Sequence, residues 1–106
     1  MLTASGRAIG YCQGMTLEDF VDDPKTIDAC VMNLIVLAEA SKGIPEELKL
    51  QFSQIPWRAI AGFRNRAAHS NMTADLSLDV SIVWRICSDE LPKMKPQLEK
   101  LLRHVG

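Results

Sequence analysis

Apolar residues recur every three to four positions along most of the chain. Nowhere do β-branched residues alternate cleanly with polar ones between turn pairs. The first pattern is typical of amphipathic helices, whereas strands would need the second. The sequence therefore predicts an all-α fold, a single helical domain over residues 1–106 arranged as an up-and-down four-helix bundle with short extra helices.

Local signals set the predicted boundaries of the first helices. A first helix spans about residues 2–13 and closes at Gly14, and Thr16 then caps a single turn. Asp23 caps the second long helix, which has proline at its first position and extends over about residues 24–41. These signals lie within a few residues of each boundary, so they do not depend on how the helices pack.

Four further helices are predicted in the second half of the chain. A short helix begins at residues 44–47, and another begins at residues 55–57 and extends to about residue 68. Residues 70–74 have the composition of a loop. Residues 77–88 form the next predicted helix, and a separate last helix ends near residue 106, with two prolines close to the junction between them.

The second long helix is apolar around most of its circumference. One stripe of this helix is widened by further apolar residues on either side. The stripe consists of Ile27, Val31, Leu34 and Ala38, and the widening residues are Cys30, Met32 and Leu37. Such a helix is central in the bundle or lies between two subunits. The methionines and both tryptophans, Trp57 and Trp84, are predicted to belong to the core.

Composition excludes several classes of protein. The three cysteines, Cys12, Cys30 and Cys87, are odd in number and lack metal-ligand spacing, so neither a disulfide framework nor a zinc site is predicted. A reducing cytoplasm is the expected location. The most apolar run, residues 29–40, is too short to cross a bilayer, and no signal peptide pattern is present. We expect no membrane partner.

Positive charge is concentrated in residues 51–74. This window contains three arginines and no Asp or Glu, so it carries +3 while the rest of the chain carries −4 of the net −1. An acid-free basic window in an acidic protein indicates an anionic ligand. Its basic residues are Arg58, Arg64 and Arg66, with His69 close behind them.

An ideal helix would place Arg58, Asn65 and His69 on one face, with Arg66 at its edge. Arg64 would lie roughly 140° away from His69 around the helix axis. The two side chains cannot meet on a straight helix. Either the helix ends before His69, or Arg64 acts together with the His69 of a second subunit across a two-fold axis.

Arg64 and His69 fit phosphodiester cleavage without a metal or other cofactor. Imidazole can transfer a proton near neutral pH, and guanidinium can hold a phosphate through paired hydrogen bonds. The alternative without a catalytic role is a solvated basic helix end, which interacts favourably with the helix dipole. A second structural alternative pairs Arg64 with Glu39. His104 lies in the predicted last helical turn, and we favour the same structural role for it.

The chain resembles the HEPN-domain toxins of the HepT type, which pair with a minimal nucleotidyltransferase antitoxin. The resemblance is carried by four segments in the expected order, GMTLEDFVDD, NLIVLAEASKGIPEELK, QIPWRAIAGFRNRAAH and IVWRICSDELPKMKPQLEKLL. The specific family motif is Arg, four residues, His, one residue and Tyr. Arg64 and His69 match its first two members, and Asn71 occupies the tyrosine position.

This resemblance implies a dimeric helical bundle with two motifs facing one cleft, and a metal-independent ribonuclease activity attributed to Arg64 and His69. Arg58, Asn65, Arg66 and Asn71 are then candidate RNA or phosphate ligands. In the family the partner transferase adds AMP to the motif tyrosine, and Asn71 has no hydroxyl to accept it, so no modification site is predicted.

Two functions stay open at this stage. One is an active ribonuclease of a toxin–antitoxin system that is controlled by binding or at another residue. The other is a helical partner that docks a nucleotidyltransferase, or binds nucleotide or RNA, without cutting it.

Overall fold

The computed structural model describes residues 1–62 and 80–105, and every regular element in these two ranges is helical. The elements are α1 (Leu2–Cys12), α2 (Leu17–Val21), α3 (Pro24–Ser41), α4 (Glu46–Gln51), α5 (described over 57–62), α6 (described from Val80, Val80–Arg85), a π-helical turn (Ile86–Glu90) and α7 (Leu91–Val105). The prediction of an all-α protein is confirmed for these residues. The four-helix arrangement, the single-domain boundary and the homodimer stay predictions.

The caps predicted for the first three helices are present. Gly14 follows α1 with a φ of +80°, a conformation that favours glycine, and lets the chain reverse toward α2. Thr16 Oγ1 accepts a hydrogen bond from the Asp19 N–H, and the Asp19 carboxylate accepts one from the Thr16 N–H, both at 3.1 Å. This reciprocal pair is a capping box. At α3, Asp23 accepts from the Thr26 N–H at 3.2 Å and from the Thr26 hydroxyl at 2.7 Å.

The core lies where α1 packs against α3 and where α7 and the π-helical turn pack against α1. Small residues on α1, namely Ala4, Ser5 and Ala8, are buried, which lets the two backbones approach closely. The large fully buried side chains come from five different parts of the chain, and they are Phe20, Leu37, Ile55, Val83, Leu91, Leu98 and Leu101. A core assembled from such separate segments fixes the positions of the short helices between them.

The helix predicted as residues 77–88 and the last helix are continuous over the described residues 80–105, so the two prolines at the junction, which the sequence left undetermined, do not separate them. Proline lacks an N–H, and its ring collides with the carbonyl four residues earlier, which for Pro92 belongs to Ser88. The chain widens into a π-helical turn at this point, and the Leu91 N–H bonds to Ile86 O, five residues back. The helix continues through the wider turn, and Pro96 lies inside α7.

One side of α3 exposes apolar side chains to solvent. Met32 is 60% exposed and Val36, one helical turn later, is 47% exposed. The prediction that the methionines belong to the core is therefore wrong for Met32, although Met94 is buried as expected. Near the end of the helix Glu39 is exposed, and its carboxylate lies 3.7 Å from the Lys42 ammonium.

Candidate nucleic-acid interface

Of the six predicted site residues, one lies in the described part of the chain and five lie outside it. Arg58 lies in α5 and is exposed. Arg64, Asn65, Arg66, His69 and Asn71 lie within 63–79, outside the described residues, so their roles stay predictions. The described part of the candidate site is thus the beginning of α5 and its surroundings.

The beginning of α5 is held by one carbonyl and one buried side chain. The Phe52 carbonyl, just after α4, accepts two hydrogen bonds at 3.1 Å, one from the Ile55 N–H and one from Trp57 Nε1. The Ile55 side chain is only 1% exposed and anchors this turn in the core. The Ile60 N–H then bonds to Pro56 O at 3.0 Å, which closes the first helical turn. The position of the beginning of α5 is therefore fixed before Arg58 is reached.

The inner side of α5 is apolar. Ile60 is buried and lines a cavity of about 70 Å³ together with Leu34 and Leu37 of α3 and Met94 of α7. Packing against two long helices turns the inner face of α5 to the core. Arg58, on a different side of the helix, stays in solvent.

A groove of about 670 Å³ lies between α4 and the beginning of α5. Trp57 lies on one side, and its indole is packed against the core while its residue stays partly exposed. The Lys49 ammonium lies 5.8 Å from the centroid of the Trp57 ring, a cation–π arrangement. Arg58 also lines the groove, and Glu46 is the acid among its described residues. The described charged residues therefore leave a net positive charge beside an aromatic ring.

The sequence patterns do not indicate that two of these residues line a groove. Trp57 is predicted to belong to the core, whereas it also lines an open groove, and Lys49 lies outside the acid-free window. The only sequence signal was a tryptophan directly before Arg58 in that window. Lys49 is eight residues away from Trp57 in sequence, and only the turn between α4 and α5 brings them together.

The structure also brings together three thiols that are far apart in sequence. Cys12, Cys30 and Cys87 are all buried and free, and they come from α1, α3 and the π-helical turn. A hydrogen bond with Cys30 and burial together raise the pKa of the Cys87 thiol, and burial raises the pKa of Cys12. With their pKa values raised, the Cys12 and Cys87 thiols are protonated near neutral pH, whereas the hydrogen bond with Cys87 lowers the pKa of Cys30. Among the described residues, no group of His, Cys, Asp and Glu side chains is arranged to hold a metal ion.

Over the part of the chain that the structure describes, no helix combines the length and the apolar character that a membrane crossing requires.

Comparison with known proteins bears on this site. A family model described as ribonuclease HepT-like matches residues 1–101. A protein of Thermococcus cleftensis named "Probable ribonuclease HepT" is 34% identical over 91 residues, which cover 86% of this chain and 79% of that protein. No solved structure matches the chain.

Two further relatives have similar coverage. A protein of Caldanaerobacter subterraneus subsp. tengcongensis, named "Putative RNase", is 32% identical over 86% of this chain and 78% of its own length. A protein of Methanocaldococcus jannaschii with the same description is 27% identical over 92% of this chain and 77% of its own length. The similarity therefore extends over nearly the whole chain, including both sides of the groove.

Proposed function

The chain belongs to the HepT-like ribonuclease family, and we propose from this that it is a metal-independent endoribonuclease acting as the toxin of a toxin–antitoxin system. The observation that carries the proposal is the family match over residues 1–101, which spans the Arg64 and His69 motif. The net positive groove at the beginning of α5 supports it, because an RNA strand requires cationic contacts with its phosphates.

In the proposed reaction the 2′-hydroxyl of RNA is the nucleophile. The imidazole of His69 takes the proton from this hydroxyl, the 2′-oxygen forms a bond to phosphorus, and the bond to the 5′-oxygen breaks. The guanidinium of Arg64 stabilises the extra negative charge on the crowded phosphorus. A second imidazole gives a proton to the departing 5′-oxygen. The products are a 2′,3′-cyclic phosphate and a 5′-hydroxyl.

Each chain supplies a single His69, so acid and base together require two chains. We propose a homodimer in which both copies of Arg64 and His69 face one cleft. The solvent-facing apolar side of α3 supports this, because Met32 and Val36 expose apolar area that a second copy would cover. Arg58, Asn65, Arg66 and Asn71 are the proposed phosphate and RNA ligands around the cleft, and Arg58 is exposed as this role requires.

A second function is favoured by Asn71. The partner proposed from the family is a nucleotidyltransferase antitoxin, and an amide at the tyrosine position cannot accept an adenylate through a hydroxyl. Control would then act through binding of the partner or at another residue. In the alternative function the chain docks this partner, or binds nucleotide or RNA, and cuts nothing.

Cleavage of single-stranded RNA in the presence of EDTA tests the two functions. We expect wild-type protein to produce 2′,3′-cyclic phosphate ends, and His69→Ala to abolish cleavage with unchanged helical circular dichroism. His104→Ala is the matched control, because it removes the other histidine of the chain and should still cut. RNA methylated at the 2′-oxygens should resist cleavage.

The outcomes of this experiment distinguish the ribonuclease from the docking function. Full cleavage by His69→Ala would exclude His69 as the proton-transfer group. Absence of cleavage by wild-type protein at every salt concentration, with a nucleotidyltransferase bound in a pull-down, would favour the docking function.

A further inference from the structure

We propose that the groove between α4 and α5 is a nucleotide subsite for single-stranded RNA, in which a base stacks on Trp57 while Lys49 and Arg58 hold the flanking phosphates. This inference rests on the proposed function, since it names where the strand lies outside the bond that is cut. Its residues all belong to the described part of the chain.

The first support is the fixed orientation of the aromatic ring. The hydrogen bond from Trp57 Nε1 to Phe52 O, at 3.1 Å, holds the edge of the indole against the turn after α4. The ring is partly exposed and lines the groove. Since its orientation is already determined, stacking a base on it costs little side-chain entropy. Aromatic platforms of this kind bind single strands with little sequence preference.

The second support is the cation on the ring face. Lys49 lies 5.8 Å from the ring centroid, no carboxylate among the described residues forms an ion pair with it, and its stem is long and flexible. An arriving base can displace the ammonium from the ring, and the ammonium can then contact a phosphate of the same strand. The cation–π contact is lost and a charge-assisted contact is gained, so the exchange is favourable when the anion is present.

The third support is the charge of the groove. Lys49 and Arg58 outnumber the single described acid, Glu46. Arg58 is exposed, and it belongs to the acid-free window that also contains Arg64 and His69. Arg58 is therefore a residue both of the described groove and of the basic window in the sequence. The volume of the groove, about 670 Å³, lies within the range typical of sites for small ligands.

Binding is best measured with a fluorescein-labelled 2′-O-methyl RNA 12-mer, which binds but lacks the hydroxyl needed for cleavage. We expect Lys49→Gln and Arg58→Gln each to weaken binding several-fold and to reduce the salt slope by about one counterion. Trp57→Leu should weaken binding about tenfold with an unchanged salt slope. Glu46→Gln should tighten binding, because it removes a negative charge from the groove. Lys93→Gln is the charge control, since Lys93 is exposed, lies 3.2 Å from Asp89 and does not line this groove.

Fluorescence gives a second readout that does not depend on how well Trp57→Leu folds. The chain has two tryptophans, so Trp84→Phe leaves Trp57 as the only indole. We expect the RNA to quench this emission with the dissociation constant found by anisotropy. In Trp57→Phe, which keeps an aromatic ring in the fold, the remaining Trp84 emission should not change.

Each result supports or overturns the subsite. If wild-type protein binds the RNA but Trp57 emission is unaffected and the Lys49 and Trp57 variants bind within twofold of wild type, the subsite is wrong. Cleavage of unmodified RNA by the wild type would then leave the proposed ribonuclease standing. If the wild type binds through the groove but cuts no RNA, the subsite stands and the ribonuclease function fails. If it neither binds nor cuts, both are overturned.

Discussion

Replacing Ile55 with alanine tests whether the beginning of α5 is anchored by core burial. Ile55 lies between α4 and α5 with 1% of its surface exposed, and its N–H bonds to Phe52 O. The substitution removes three carbon atoms and leaves that backbone hydrogen bond intact. Leu50→Ala is the matched control, because it also removes three carbons from a branched aliphatic residue but at a position that is 72% exposed.

The magnitude follows from burial. Three buried methyl or methylene groups correspond to about 2.4 kcal/mol of transfer free energy. The cavity left behind adds to this, so Ile55→Ala should lower the free energy of unfolding by about 3 kcal/mol, within the range of roughly 2–5 kcal/mol typical of such truncations. Leu50→Ala removes little buried area and should change the free energy of unfolding by less than about 0.5 kcal/mol.

Urea unfolding followed by circular dichroism at 222 nm measures both variants. With a slope of about 1.5 kcal/mol per molar urea, which is within the range for small proteins, the Ile55→Ala midpoint should fall by about 2 M. The wild type and Leu50→Ala should have nearly the same midpoint. A loss below about 1 kcal/mol for Ile55→Ala, or equal losses for the two variants, would refute the claim that this side chain anchors the site.

Three further predictions concern other parts of the structure. The hydrogen bonds from Thr26 lower the pKa of Asp23 below its ordinary 3.8, so the stability that the charged cap gives is present above that pH and is lost as the pH falls through the lower folded-state pKa. Asp23→Asn keeps a hydrogen-bond acceptor at the cap and should flatten this part of an acid unfolding curve. A curve unchanged from wild type would contradict the assignment. The three buried cysteines should react slowly with Ellman's reagent in the native protein and all three should react rapidly in urea, so a fast native thiol would disprove their burial. Met32→Asp, on the exposed side of α3, should convert a dimer to a monomer in light scattering at micromolar concentration with unchanged helicity, and a monomeric wild type would rule out the two-copy cleft.

The boundaries of the first helices could be predicted because their signals are local. Thr16 and Asp23 each bond to a backbone N–H three residues later, so the residues that define the start of a helix are adjacent in sequence. The same holds for the beginning of α5, where proline precedes Trp57. The resemblance also depended on local order, since four segments and the Arg64–His69 spacing appear along the chain, and the family match over residues 1–101 confirmed it.

Local sequence signals do not determine features that depend on distant parts of the chain. Pro92 suggested a break between two helices, but a π-helical turn accommodates its ring, and the packing of this turn against α1 holds the two halves as one helix. Met32 is among the residues that widen an apolar stripe, yet no described element covers that side of α3. Periodicity indicates which residues are apolar, and it does not indicate how many sides of a helix find neighbours.

The sequence by itself determined that this protein is helical, where its first helices begin, which family it belongs to, and which basic window is the candidate for RNA chemistry. Only the tertiary structure decided that Lys49 lies over Trp57 beside Arg58, and that Cys12, Cys30 and Cys87 come together in the core. The physical reason is the separation along the sequence over which each interaction acts. Caps and helical periodicity act over three or four residues, whereas a groove or a cluster forms when the burial of distant side chains, such as Ile55 against the core, fixes how the helices meet.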